Sequence, residues 1–432
     1  MTIQIGLTNC ASVDVASDVN KVQSLISERT PEKTHLIKAS SEIPLTLDDA
    51  IGIAIANDAK LRKELAVVVQ RSAELTQAGQ LPNPTISGAF GIATDGMSGA
   101  PLVLRGMQGL SWIWTRPDKI ASAEASLQHA ILTASHRAME LKRDVSIAYK
   151  TLSHIETQMF LATELLQLAE VRLEHELRRF EVGEESILHV EEDKKQFGTI
   201  ELLFDQLQEQ TSIAYINLAT ILGHPTHTTF TLDTNRKHVV VSLNEFEIDE
   251  LLTLAQSQRF DLLTSQAVIQ QRAVQLGLAS PPEITGTLAL NESFNDRQAL
   301  MPGVNITLQL DKDAKDAIAD AKLEQAKAQH LHALRTAQSE VQSSFTALLH
   351  AVSQKEIVEQ KRVQPAHAIV YKNQLLHREG EVSELQVLQS QIEQLKVDIE
   401  LVKKEQAVSV AYYDLQYTVG GTFNTLNKEG DQ

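Results

Sequence analysis

The chain has 432 residues, with 56 Asp and Glu against 39 Lys and Arg and a formal charge of −17, which argues against a phosphate-binding surface built on clustered cations. A single cysteine excludes an internal disulfide framework and a Cys-cluster zinc site. No apolar run approaches the roughly 18 residues that a membrane helix needs, so a membrane role is left to a β-barrel, a lipid anchor or an amphipathic surface.

At the amino end, Leu7-Thr8-Asn9-Cys10-Ala11-Ser12 is similar to the close of a bacterial lipoprotein signal, in which the cysteine is acylated. On that reading a longer leader precedes Met1 and Cys10 is the lipidation residue; otherwise Cys10 is an ordinary member of a polar arm. The arm, residues 1–43, has no apolar periodicity.

The remainder is a duplicated unit. Gly183, Leu188, Tyr215, Leu218 and Gly223 recur 197 residues later as Gly380, Leu385, Tyr412, Leu415 and Gly420. Asp118, Ile120, Ala121 and Ala123 recur 198 later as Asp316, Ile318, Ala319 and Ala321, and Ile86 pairs with Ile284. The first repeat covers 44–231, a connector 232–247, the second repeat 248–421 and a tail 422–432. Each repeat reads as helix, two strands, very long helix, tight turn and long return helix.

The first helices are expected over about 46–79 and 248–279. Thr46 with Asp48 and Asp49 is a suitable start, and Pro82-Asn83-Pro84 and Pro281-Pro282 end helices and launch extended chain. Four stretches of period two follow. Their apolar faces are Ile86, Phe90 and Ile92 in 85–93; Leu102, Leu104, Leu110, Trp112 and Trp114 in 102–114; Ile284, Leu288 and Leu290 in 283–291; and Val304, Ile306, Leu308 and Leu310 in 303–311. Alternation of this kind suits a half-buried soluble sheet as well as a sheet facing lipid.

The helices shift that balance. Residues 118–182 contain no Gly or Pro across 65 positions, 304–364 none across 61 and 381–419 none across 39. A helix of about 60 residues spans roughly 90 Å, far beyond what a compact domain uses. Leu385, Leu388, Ile392, Leu395, Ile399 and Val402 step 3-4-3-4-3, as do Phe197, Ile200, Phe204, Leu207, Thr211, Ala214 and Leu218. Such seams need partner helices. The expected partner is the preceding long helix, folded back at Gly183 (hairpin about 118–222) or Gly380 (hairpin about 315–419). Pro365 should kink the second hairpin about 15 residues before its turn.

No chemistry accompanies this architecture. There is no nucleophile elbow, phosphate loop, dinucleotide fingerprint or His-Glu-x-x-His. His224 and His227 lack a third ligand, and His330 and His332 point to different sides of a helix. No catalytic residue, metal site or cofactor is expected.

From about Pro44 to Gly421 these residues resemble the TolC-like outer-membrane efflux channels of Gram-negative bacteria. The likeness rests on Leu45-Thr-Leu-Asp-Asp-Ala50, Leu81-Pro-Asn-Pro84, the Ala-rich start after Arg116-Pro-Asp118, Arg259-Phe-Asp-Leu262, the tips Arg179–Leu188 and Arg378–Leu388, and the duplication itself. The resemblance implies a mainly helical mixed fold. Three chains of four strands close a twelve-stranded barrel in the outer membrane, continued by an α-helical barrel across the periplasm. Four strands cannot close a barrel alone, and open edges are not tolerated in lipid. On this reading Ile86, Phe90, Leu102, Leu104, Leu288, Leu290, Ile306 and Leu308 face lipid.

The resemblance further implies passive conduction, opening at the tips by a periplasmic adaptor, and an inner-membrane transporter of the RND type as the energy source. Docking falls at Phe180, Gly183, Ser186, His377, Gly380 and Ser383. Gln386 and Gln389, with Glu384, occupy the pore constriction, where well-known members carry aspartates, which argues against a carboxylate ring at those two positions. A type I secretion duct for polypeptides and a soluble periplasmic coiled-coil scaffold are the alternatives.

Overall fold

The computed structural model describes residues 20–22, 24–25, 44–91, 102–225, 230–233, 247–277, 283–292, 298–307 and 311–421. Cys10, Ile92, His227, Pro281, Pro282, Leu308 and Leu310, with most of the arm and of the connector, lie outside them.

The elements follow the duplicated order. The first copy holds α1 (Leu47–Asn57), α2 (Ala59–Ala78), β1 (Thr85–Phe90), β2 (Leu102–Gly109), α3 (Trp112–Glu181) and α4 (Ile187–Ile221). The second holds α5 (Ile248–Gln258), α6 (Phe260–Gly277), β3 (Glu283–Glu292), β4 (Gln298–Thr307), α7 (Lys312–Val358), a π-helical turn (Glu359–Val363), α8 (Gln364–Arg378) and α9 (Glu384–Val419). Among the described residues no helix is long and apolar enough to cross a membrane.

Several boundaries differ from the sequence reading. Each expected first helix is two helices, broken at Asp58 and at Arg259, whose backbones are extended (ψ 118° and 124°). Neither break has a Gly or Pro; Asp58 caps α2 by accepting from Leu61 N–H at 2.6 Å, and each break is held by a distant turn. Asn57 Nδ2 donates to the Leu222 carbonyl at 2.9 Å, and an Arg259 guanidinium nitrogen donates to the Thr418 carbonyl at 3.1 Å.

The second strand stops at Gly109, and Trp112 and Trp114 belong to the helix. The guanidinium of Arg116 lies 5.1 Å from the Trp112 ring centre, one helical turn on, and Thr115 Oγ1 donates to the Ser111 carbonyl. These local bonds hold the first turn as helix, and Pro117 is carried inside it. The fourth strand starts at Gln298, earlier than expected, because it pairs along the whole of β3. Pro365 does interrupt its hairpin, with the π-helical turn just before it, a known means of relieving a broken ladder.

The residues form two compact units, each drawing on both repeats. One contains the four strands, α6 and the parts of α2, α3 and α7 nearest the strands. Its buried side chains include Val68, Leu127, Ile131, Leu262 and Ala326. Gln271 donates to Ser126 at 2.6 Å, and Ser265 and His330 share a 2.7 Å hydrogen bond. His330 therefore has a structural partner.

The other unit contains the helical hairpins. One core cluster joins Leu251 and Ala255 of α5, Val341, Leu348 and Val352 of α7, and Val408, Leu415 and Val419 of α9. A second joins Ala162, Leu165 and Ala169 of α3, Ile200 and Leu207 of α4, and Ile392 and Ile399 of α9. Nearer its turn, then, the α9 seam packs against the first hairpin as well as along its own. Ala162 and Ala169 provide the space, since short side chains let helices approach closely. The chain before α1 is fastened here by an isolated bridge between Leu45 and Leu232. The Tyr149 hydroxyl donates to the Leu45 carbonyl at 2.8 Å.

Candidate functional site

Two features stand out, the hairpin tips and the sheet. Both tips close with the same hydrogen-bond pattern. Gly183 N–H donates to the Phe180 carbonyl at 3.0 Å and Glu184 N–H to the Arg179 carbonyl at 2.9 Å. Gly380 and Glu381 repeat this with His377 and Leu376 at 3.0 and 2.9 Å. This paired closure requires a left-handed residue, and Gly183 and Gly380 have φ of 78° and 80°. Ser186 then caps α4, accepting from Leu188 N–H, and Ser383 caps α9, accepting from Gln386 N–H, satisfying donors that a helix start leaves open.

The tips differ in their charged groups. At the first, Glu185 accepts from His189 Nδ1 at 2.5 Å and from Ser186 N–H at 3.0 Å, and pairs with Arg179 at 3.1 Å. The Ser186 and His189 hydrogen bonds, with the Arg179 charge, hold its carboxyl below the usual range. At the second, His377 Nδ1 donates to the Val382 carbonyl at 2.9 Å. Phe180, Val182, Ile187 and Leu188 are exposed around the first turn. Glu384 and Gln386 are exposed and Gln389 is half-buried. Gln389 Nε2 donates to Glu393 at 3.1 Å, and its Oε1 is buried without a partner among the described residues.

A buried ion pair behind the first tip was not singled out from sequence. Arg172 reaches Asp193 through two hydrogen bonds, 2.8 and 3.1 Å, with the Asp193 side chain 8 % exposed. The signal was available: Asp193, Ile200, Leu207 and Ala214 recur every seven residues and all are buried, so a carboxylate on that series demands a cation.

The sheet has the order β1-β2-β3-β4, antiparallel throughout, with β1 and β4 as edges. The register aligns Ile86, Gly88 and Phe90 with Gly106, Leu104 and Leu102, and Leu104 and Gly106 with Leu290 and Leu288. Ile284, Gly286, Leu288 and Leu290 then meet Ile306, Val304, Pro302 and Leu300. One face is thus apolar across all four strands, save the Glu292–Gln298 pair at the end of β3 and start of β4 and Gln108 at the end of β2, whose amide donates to the Pro82 carbonyl. These side chains are open to solvent: Ile86 is 79 % exposed, Phe90 76 % and Leu300 63 %. The opposite face carries Thr85, Ser87, Arg105, Thr285, Thr287 and Asn305.

Among the described residues no group of three His, Cys, Asp or Glu gathers to hold a metal ion.

No family model matches the sequence, and no curated protein matches it. Solved structures do. The outer membrane protein VceC of Vibrio cholerae aligns over 87 % of this chain and 96 % of its own, with 18 % identity and a TM-score of 0.69. A membrane protein from Pseudomonas aeruginosa aligns over 90 % and 94 %, with 16 % identity and a TM-score of 0.71. The open state of the MtrE outer membrane channel of Neisseria gonorrhoeae aligns over 90 % and 95 %, with 15 % identity and a TM-score of 0.67. The chain therefore has the fold of the TolC-like outer-membrane channels.

Proposed function

We propose that this chain is the outer-membrane duct of a tripartite export pump. Three copies close a twelve-stranded barrel in the outer membrane, and the helical hairpins form an α-helical barrel across the periplasm. A periplasmic adaptor docks at the tips, on the surface around Phe180, Gly183, Ser186, His377, Gly380 and Ser383, and opens the constriction formed near Glu384, Gln386 and Gln389. Solutes then pass down the duct without catalysis. Energy comes from an inner-membrane transporter, for which the RND type is the proposed partner, and acylated Cys10 anchors the chain in lipid.

One observation carries this reading. The sheet presents an exposed apolar face across four strands, a polar face behind it, and two open edges. A monomer in water would leave that face unburied, and exposed apolar patches of such extent mark an interaction surface. In lipid the open edges must be paired. A closed barrel of several copies meets both demands, with the apolar face outward and the polar face on a wet lumen.

The test is fractionation followed by gel mobility. Expressed in its native host, the protein should remain with outer membranes and need detergent for release. Unheated, it should run at about three chain masses and collapse to one on boiling. A monomer released without detergent would favour the soluble coiled-coil scaffold.

A further inference from the structure

Arg105 sits in the middle of β2 on the polar face of the sheet, opposite Ser87 on β1 and Ala289 on β3. Around it on that face the register places Thr85, Ala89, Val103, Met107, Thr287 and Asn291, none of them charged. The guanidinium is exposed, and among the described residues no carboxylate comes within ion-pair distance of it. In a chain with 56 acidic and 39 basic residues, an arginine whose nearest acidic register position on that face of the described strands is Glu283, six residues along β3 from Ala289, calls for an explanation. A structural role would give it a partner; a lipid-facing position would cost about 2–4 kcal/mol at mid-membrane, and the register puts it on the other side.

We propose that Arg105 makes the barrel section of the duct favour anionic over cationic solutes. The inference rests on the trimeric barrel proposed above. Threefold symmetry sets three Arg105 side chains at one height on the lumen wall. Twelve strands about 4.8 Å apart and tilted by about 40° enclose a radius of about 12 Å, and an arginine side chain spans about half of it. Each charge then lies within about one Debye length of the axis at 0.1 M salt. Three charges acting together at that range change the anion-to-cation permeability ratio roughly fivefold, an effect that fades at 1 M salt, where screening falls to about 3 Å.

The experiment is reversal potential under a potassium chloride gradient, with the purified full-length protein in planar bilayers. Arg105→Ser should lower the anion-to-cation ratio several-fold, Arg105→Glu should lower it further, and Arg105→Lys should keep it. To avoid dependence on variants that insert poorly, Arg105→Cys is modified after insertion, with the natural chain, whose single cysteine is Cys10, given the same reagents as the control. A cationic thiol reagent should raise the ratio and an anionic one lower it. If the unmodified protein conducts but its ratio is indifferent both to substitution and to the sign of the reagent, Arg105 is not a selectivity residue and the inference falls, with the duct intact. If the unmodified protein forms no conducting trimer, the duct reading itself falls and takes the inference with it.

Discussion

Arg137 donates to Asp58 at 3.0 Å, and in the other repeat the break between the first two helices is also held by an ion pair, with the acid on the long helix. Asp58 interrupts α1 and α2 and meets Arg137 on the long helix α3. Arg259 interrupts α5 and α6 and meets Glu340 on the long helix α7 at 2.7 Å. The two pairs do not occupy matching repeat positions, since Arg137 corresponds to Arg335 and Glu340 to Lys142, so each copy fastens its joint with an ion pair of its own. Asp58→Arg should destabilise by about 2–4 kcal/mol, because it sets two largely buried cations together. Adding Arg137→Asp should recover more than half of that in chemical denaturation. If the double variant is no more stable than the single one, the joint does not depend on charge.

The same pair sets an acid limit. Burial raises the Asp58 carboxyl, but hydrogen bonds from Arg137 and the Leu61 N–H, with the Arg137 charge, outweigh it, so the group stays below its ordinary value. A depressed carboxyl stabilises the fold above its unfolded value near pH 4, and that contribution is lost as pH falls through the folded value. Asp58→Asn should therefore flatten the acid limb of a stability profile below about pH 4. An unchanged limb would assign acid sensitivity to other carboxylates.

At high pH the matching group is Tyr149, which is buried and donates to the Leu45 carbonyl. Burial, with the nearby Asp233 charge, pushes its hydroxyl up to about 12. A raised value means that the protonated form stabilises the fold fully below about pH 10, and that this is lost as pH climbs through 12. Tyr149→Phe should be less stable than the natural chain at pH 8, by about 1 kcal/mol for the lost hydrogen bond. The gap should close between pH 10 and 12, as followed by thermal melts. A gap that stays constant would mean that the hydroxyl does not titrate with folding.

How far the sequence disclosed all this depends on the origin of each feature. Long stretches without Gly or Pro leave helix as the natural conformation, so α3, α4, α7 and α9 are legible, and Gly183 and Gly380 mark turns that need a left-handed residue. The second strand is not delimited, because Leu102, Leu104, Leu110, Trp112 and Trp114 keep period two through the boundary while Trp112 and Arg116 also satisfy helical spacing. The break at Asp58 has a local mark, since Asp58 caps α2 by accepting from Leu61 N–H, whereas Arg259 has no such mark; the Leu222–Gly223 and Thr418–Gly420 turns hold the two breaks from more than 150 residues away. The apolar face on β1 to β3 is readable from alternation, but the part of β4 that adds Leu300 and Pro302 is fixed by pairing with β3. Arg105 carried no motif, and only the register shows that its neighbours are neutral.

The four left-handed glycines among the described residues divide into two classes. A Cβ at Gly183 or Gly380 would meet nothing within 4 Å, so alanine there costs only the backbone strain, about 1–2 kcal/mol. At Gly223 a Cβ would come within 2.9 Å of Asn57 Cβ, and at Gly420 within 2.8 Å of the Gln258–Arg259 backbone. Gly420→Ala should therefore cost clearly more than Gly380→Ala, because the α5–α6 joint must move. Equal losses in denaturation would show that the close approach has no energetic weight.

Behind the first tip, the Arg172–Asp193 pair should behave as a buried salt bridge. Asp193→Ala leaves the guanidinium unpaired and should cost about 3–5 kcal/mol, while Arg172→Met with Asp193→Leu should recover most of it or exceed the natural stability. Recovery would locate the value of the pair in fixing hairpin register rather than in net stability. Failure of the double variant would point instead to a packing role that apolar side chains cannot fill.

At the second tip, the proposed constriction can be probed through charge. Gln386 is exposed one turn into α9, next to exposed Glu384, whereas Gln389 is half-buried and bonded to Glu393. A carboxylate at 386 would stay ionised and add to the acidic rim. One at 389 would face Glu393 at hydrogen-bonding range, where like charges raise the affinity for a proton. Gln386→Asp should therefore raise cation selectivity in bilayer conductance at pH 7, and Gln389→Asp should do so less, with a further rise at higher pH as the shared proton is lost. Lowered conductance with unchanged selectivity would mean a structural disturbance. Unchanged conductance and selectivity in both variants would remove these residues from the gate and move the constriction elsewhere along the tips.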